Sequence, residues 1–150
     1  RYGLGDKEAK RLIRMFNESA TIRKLPPLRD AIKYVKKLHE EHGYVFHAIT
    51  SLSNDQYAQH LRTKNLIEMF GPTVFERYIY LDCGADKDEV LYKYKSTECY
   101  WVEDKIANAE VGLGAGLNSL LMVHDHNRSY EGDAVKVYSW RDIYNLVLEQ

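Results

Sequence analysis

Short apolar runs of strand length alternate with amphipathic helical stretches along this chain, and that alternation restricts the fold more than any single motif does. Tyr44 to Thr50 (YVFHAIT), Arg77 to Leu81 (RYIYL), Cys99 to Val102 (CYWV) and Ser119 to Val123 (SLLMV) are rich in β-branched and aromatic residues. Between the runs lie helical patterns. Leu28 to Glu41 sets Leu28, Ala31, Ile32, Val35 and Leu38 on one face and lysines on the other. Further helices are expected through Leu61 and Leu66 to Phe70, over Asp88 to Lys95, and from Ile106 to about Leu117. A short extended piece, Val135 to Tyr138, precedes a last helix from Trp140. Strand and helix alternating four times over predicts parallel strands joined by right-handed crossovers. The apolar continuity of each run predicts cover on both faces. The expected fold is therefore α/β, a Rossmann-like three-layer α/β/α sandwich with a mainly parallel sheet.

Local punctuation agrees with this division. Pro26-Pro27 breaks the chain, Gly43 stands where a left-handed C-cap belongs, and Gly71-Pro72 ends a helix. Ser53 or Asn54 is expected to cap the following helix, and Ser139 and Asp142 have capping-box spacing. Ahead of these elements, Lys7 to Asn17 carries Ala9, Leu12, Ile13 and Phe16 in the spacing of an amphipathic helix. The chain opens on Arg1-Tyr2-Gly3 and runs straight into that pattern, as though a first strand were missing upstream. Residues 1–24 are expected to be a helical lead-in or the remnant of a small cap, with 25–150 as a single core domain.

At 150 residues the chain has the size of one domain, and 21 basic against 22 acidic side chains leave a formal charge of −1. Such a balance gives no long-range field to draw in nucleic acid or an anionic membrane, so a small anionic substrate has to be held by local groups. The two cysteines, Cys83 and Cys99, have no metal-type spacing, and no apolar run is long enough to span a bilayer. With no signal peptide, a reduced, cytoplasmic setting is expected. Tyr92 and Tyr94 are expected to be exposed, and oligomeric state is left open.

Ligands of open parallel sheets bind beyond the carboxyl ends of the strands. The strands identified above close in Thr50-Ser51, Asp82-Cys83-Gly84, Glu103-Asp104 and His124-Asp125-His126, all polar. Glu103-Asp104 is the sharpest of these. Adjacent carboxylates repel unless a cation or donors compensate them, and hard oxygens suit Mg²⁺. Asn108 follows four residues after Asp104 and can return to the same pocket. Against a metal stands simple helix capping by Asp104, worth about 1 kcal/mol. Thr50-Ser51 offers two hydroxyls ahead of a helix whose first N–H groups are free, a setting for a phosphate oxygen, or else an ordinary turn. Lys87 is either a solvated lysine or a phosphate partner. His124 and His126 share one side of an extended segment and could bind zinc, but no matching ligands lie near in sequence. Asp86-x-Asp88 does not follow directly on an apolar strand and is set aside.

In order and spacing, these motifs resemble the haloacid dehalogenase superfamily of phosphatases. Leu25 to Ser51 (LPPLRDAIKYVKKLHEEHGYVFHAITS) is similar to the helix and strand that end in its second motif, which makes Thr50 a holder of the transferring phosphoryl group. Lys87 matches the lysine of the third motif. Trp101 to Gly116 (WVEDKIANAEVGLGAG) resembles the fourth, which implies Asp104 as a Mg²⁺ ligand with Glu103 assisting directly or through water. The tail, from His124-Asp125-His126-Asn127-Arg128 to Val137-Tyr138-Ser139-Trp140-Arg141-Asp142, is similar to the 5′(3′)-deoxyribonucleotidase-like branch, whose members act on nucleoside monophosphates.

The resemblance implies a Mg²⁺-dependent phosphomonoesterase, with Thr50, Lys87 and Asp104 catalytic and with Thr50, Ser51 and Lys87 binding substrate. It departs from the family at the first motif. The Asp-x-Asp that should close the first strand, whose first member would form an aspartyl-phosphate and whose second would move the proton, does not occur before Leu25. The alternative is a non-catalytic, phosphate-binding or regulatory module built on the same fold. A dinucleotide binder is disfavoured, because Gly112, Gly114 and Gly116 lie well into an expected helix rather than after a first strand, and there serve close helix–sheet packing.

Overall fold

The computed structural model describes residues 10–16, 30–51, 55–81, 87–95 and 97–149, with the backbone alone at 10–16, 51 and 87. In chain order the elements are β1 (Lys10–Phe16), α1 (Ala31–His42), β2 (Tyr44–Ser51), α2 (Gln56–Phe70), β3 (Phe75–Leu81) and α3 (Lys87–Tyr92). They continue with β4 (Tyr100–Glu103), α4 (Ile106–Gly114), β5 (Asn118–Met122), a 3-10 turn (Asp125–Asn127), β6 (Val135–Val137) and α5 (Trp140–Leu148). The strands form one six-stranded sheet in the order β3-β2-β1-β4-β5-β6. Every neighbouring pair is parallel. The α/β class expected from the alternation is what the chain has.

The first element corrects the sequence reading. Lys10–Phe16 is a strand rather than part of a helix, and it occupies the centre of the sheet, where a gap was expected. It pairs with β2 from Lys10↔Tyr44 to Phe16↔Thr50, and with β4 from Leu12↔Tyr100 to Arg14↔Val102. Apolar residues at 12, 13, 15 and 16 fit a helical stripe, and they fit equally well a strand covered on both faces. Two parallel neighbours satisfy backbone groups on both edges, and this outweighs a weak helical preference.

The buried strands contribute to three apolar clusters. Phe46, Ala48, Val102 and Leu120 join Val35 and Leu38 of α1, Leu66 and Phe70 of α2, and Trp140 and Ile143 of α5. Ile49 and Trp101, their side chains turned the opposite way, join Leu91 of α3, Ala115 and Leu117. Leu121 packs with Ala109 of α4. One glycine is essential to this second side. A Cβ on Gly112 would stand 2.2 Å from Cδ1 of Trp101, so α4 approaches β4 only because residue 112 has no side chain. The close-packing role expected of the three glycines holds at Gly112 alone: a Cβ on Gly114 would meet open space, and Gly116 lies past the helix end at φ 80°.

Several caps match the sequence and others differ. Gly43 ends α1 at φ 76°, and its N–H donates to the carbonyls of His39 and Leu38. The cap of α2 is Asp55, whose carboxylate accepts from Tyr57 N at 2.9 Å, while Ser53 and Asn54 lie outside the described residues. Ser139 Oγ accepts from Asp142 N at 3.1 Å, and Asp142 Oδ2 accepts in return from Tyr138 N at 2.8 Å. The Asp30 carboxylate reaches across from the start of α1 to accept from Trp140 N (3.3 Å) and Arg141 N (2.9 Å). Tyr92 is exposed as expected, but Tyr94 is buried. Its hydroxyl is 2.7 Å from His47 Nδ1, and His47 Nε2 is 2.6 Å from Glu76 Oε1, which accounts for a histidine inside a sheet. No helix among the described residues is long and apolar enough to cross a membrane.

Candidate functional site

The strand order singles out one place on the sheet edge. From β1 the chain builds β2 and β3 on one side, then crosses to lay β4, β5 and β6 on the other. Crossovers therefore diverge at β1 and β4, and in open parallel sheets it is beyond the carboxyl ends of such a pair that ligands bind. Phe16 is in register with Thr50, and Arg14 with Val102, so Asp104 lies just beyond the last paired rung on the other side of β1. Thr50 and Asp104 thus flank the end of the central strand, their backbones about 10 Å apart across two strand spacings. Thr50 is buried. At the following helix the Tyr57 N–H is taken by Asp55, so the N-terminus of α2 is not wholly free as the sequence suggested.

The acidic pair divides into two different groups. Glu103 is fully buried at the end of β4. Its Oε1 accepts from the backbone N–H of Asp104 (2.8 Å) and of Lys105 (3.1 Å), and its Oε2 accepts from Asn108 Nδ2 (3.1 Å). Burial pushes its carboxyl up to about 7, a side-chain hydrogen bond with Asp104 adds to the rise, and the two backbone donors oppose it. Asp104 is partly exposed, its side chain 28% accessible. The N-cap of α4 is Lys105, with no side-chain capping bond, so capping does not explain Asp104. The pair therefore consists of an inner carboxyl that holds a proton near neutrality and an outer carboxylate at the strand end.

Two further elements hold this corner. The Trp101 indole donates to the Asn108 carbonyl at 3.0 Å, and Ser119 Oγ donates to the Ala109 carbonyl at 2.8 Å, which seats the first turn of α4 against the sheet. Asn127, fully buried in the turn after β5, donates through Nδ2 to the carbonyls of Asp104 (2.7 Å) and Met122 (2.9 Å). Its Oδ1 accepts from His124 N at 2.7 Å. One side chain thereby fastens the end of β4 to the end of β5. The sequence reading missed this role, because an asparagine in a polar run after a strand reads as an ordinary turn residue. His126 Nε2 is 3.2 Å from the Asp104 carbonyl, and the rings of His126 and His124 stack at 5.8 Å with 10° between planes. His124 Nε2 is 3.9 Å from Asp104 Oδ2.

Of the expected site residues, the structure brings Glu103, Asp104 and Asn108 into contact and sets Thr50 across β1 from them. Ser51 continues β2 in register with Leu81, and Lys87 is the first residue of α3. The side chains of both lie outside the described residues, as do Asp82-Cys83-Gly84 and Asp86. Among the described residues no group of three or more His, Cys, Asp or Glu side chains is arranged to hold a metal ion.

No family model matches the chain. It is similar to an "Uncharacterized 32.4 kDa protein in Gp30-rIII intergenic region" of enterobacteria phage T4, 27% identical over 139 residues that cover 90% of this chain and 49% of the phage protein. The chain spans about half the length of that relative.

Proposed function

We propose that the chain forms the core of a Mg²⁺-dependent phosphohydrolase of the haloacid dehalogenase type, with a Rossmann-like three-layer α/β/α arrangement, acting on a small phosphorylated substrate such as a nucleoside monophosphate. The observation that carries this reading is the placement of Thr50 and Asp104 on either side of the carboxyl end of the central strand. The donor set fits the cation. Mg²⁺ takes one or two carboxylates and keeps water for its other positions, and Asp104 is one such carboxylate. Glu103 supports it from inside, its own oxygens committed to Asp104 N, Lys105 N and Asn108. Bound there, Mg²⁺ would supply charge neutralisation for the phosphoryl oxygens. There the Thr50 hydroxyl would donate to one of those oxygens, and Ser51 and Lys87 are the residues proposed to meet their remaining charge. The test is Asp104→Asn in the full-length protein. This variant is expected to lose metal-dependent release of phosphate while remaining folded, and undiminished turnover would remove the assignment.

One observation favours a second reading. Phe16 closes the central strand, and Asn17-Glu18-Ser19 follows it in sequence where the phosphatases carry Asp-x-Asp. Unless a nucleophilic aspartate is supplied from outside these residues, such a chain would bind phosphate-bearing ligands without turning them over. Titration of inorganic phosphate into the protein separates the two. Binding with no hydrolysis of any phosphomonoester supports the module, and hydrolysis supports the enzyme.

A further inference from the structure

His124 stands at the edge of the corner that holds Asp104, and none of the roles above uses its ring. The segment that carries it is rigidly held. Its backbone N–H is bound by Asn127, and the same Asn127 side chain binds the Asp104 carbonyl, so the two residues are fixed to one buried amide. Nε2 of His124 lies 3.9 Å from Oδ2 of Asp104, and both side chains are partly exposed, at 38% and 28%. His126 stacks flat on the His124 ring and directs its own Nε2 to the Asp104 carbonyl. His126 is thereby committed to the backbone, while the Nε2 of His124 looks toward the Asp104 carboxylate.

We propose that His124 joins Asp104 as a second protein ligand of the divalent cation, so that this site prefers a transition ion such as Mn²⁺ over Mg²⁺. The inference rests on the reading of Asp104 as the cation's carboxylate and adds to it the nitrogen donor. An imidazole nitrogen and a carboxylate oxygen each about 2.1 Å from one ion stand roughly 3 Å apart at adjacent positions. Reaching that value from 3.9 Å would require the imidazole to turn about its side-chain bonds. Two protein ligands with waters at the remaining positions need no third side chain. The class of ion follows from the donors. Mg²⁺ selects oxygen and dehydrates reluctantly, whereas first-row transition ions accept imidazole readily.

The experiment is metal binding by the full-length protein, read by calorimetry with Mn²⁺ and Mg²⁺ separately and by pulsed electron spin resonance on bound Mn²⁺. The wild type is expected to bind Mn²⁺ at least tenfold more tightly than Mg²⁺ and to show nitrogen modulation from a coordinated imidazole. His124→Ala should weaken Mn²⁺ binding about tenfold, abolish the nitrogen signal and leave Mg²⁺ binding within twofold. His126→Ala, by contrast, should retain the nitrogen signal. A wild-type protein whose bound Mn²⁺ shows no nitrogen modulation, or a folded His124→Ala protein with wild-type Mn²⁺ affinity, overturns the proposal even if Asp104 binds the cation. If Asp104→Asn binds both ions as the wild type does, the carboxylate reading itself fails, and this proposal falls with it.

Discussion

Glu103 is the residue at which the structure makes its most quantitative demand. In the folded chain its carboxyl is pushed up to about 7 from the ordinary 4.5, chiefly by burial and then by the hydrogen bond with Asp104. In the unfolded chain it releases its proton through about 4.5, whereas in the folded chain it keeps it until about 7. The folded state therefore binds more protons across that interval, and stability falls as pH rises. The contribution is complete below the unfolded value, where it amounts to roughly 3 kcal/mol, and it is lost as pH climbs through about 7. Between pH 5 and pH 8 most of it, about 2–3 kcal/mol, is expected to be lost. Glu103→Gln carries no titrating proton, yet its amide oxygen can still accept from Asp104 N and Lys105 N, and its amide group can donate to Asp104 as the protonated acid does. The assay is urea unfolding of both proteins at several pH values in EDTA, taking the difference between them so that titrations away from this pair cancel. Wild type should lose about 2–3 kcal/mol relative to the variant from pH 5 to pH 8. Stabilities that run parallel over that range would refute the reasoning, because a buried carboxyl holding its proton cannot leave the pH dependence unchanged.

Gly112→Ala should destabilise the fold by about 1–3 kcal/mol, because its Cβ would meet the Trp101 ring at 2.2 Å; the shift in urea midpoint measures this, and an unchanged midpoint contradicts it. Asn127→Ala removes the Asn127 bonds to the Met122 and Asp104 carbonyls and to the His124 N–H, leaving the Asp104 carbonyl only His126, at a cost of roughly 2–4 kcal/mol in the same assay. Asp30→Ala removes the acceptor for Trp140 N and Arg141 N and should cost about 1 kcal/mol, with faster amide exchange confined to the first turn of α5.

How much of this was legible in the sequence depends on whether the signal is local. YVFHAIT, RYIYL, CYWV and SLLMV each read as strands because an apolar β-branched run closed by polar residues has few other uses, and Gly43 and Ser139 mark caps by their chemistry alone. Lys10–Phe16 was not legible. Its apolar spacing suits a helix or a doubly covered strand, and only pairing with β2 and β4, distant in sequence, separates them. The same holds at the site. That Glu103 and Asp104 form a pair was evident, but which member turns inward depends on Asn108 and on the backbone of Lys105. Asn127 gave no signal, because its function is to join the ends of β4 and β5. Tyr94 misled for the same reason: it is buried in the cluster with Ile49, Trp101 and Leu117 and bonded to His47, most of them distant in sequence.

The central claim is that the corner between β1 and β4 hydrolyses a phosphate ester with the help of a cation on Asp104. The most direct measurement is phosphate release by the full-length protein from p-nitrophenyl phosphate and a panel of nucleoside monophosphates, with divalent cation present and with EDTA. The account predicts release that EDTA abolishes and that returned cation restores. A folded protein that binds the cation yet releases no phosphate from any of these substrates would contradict it.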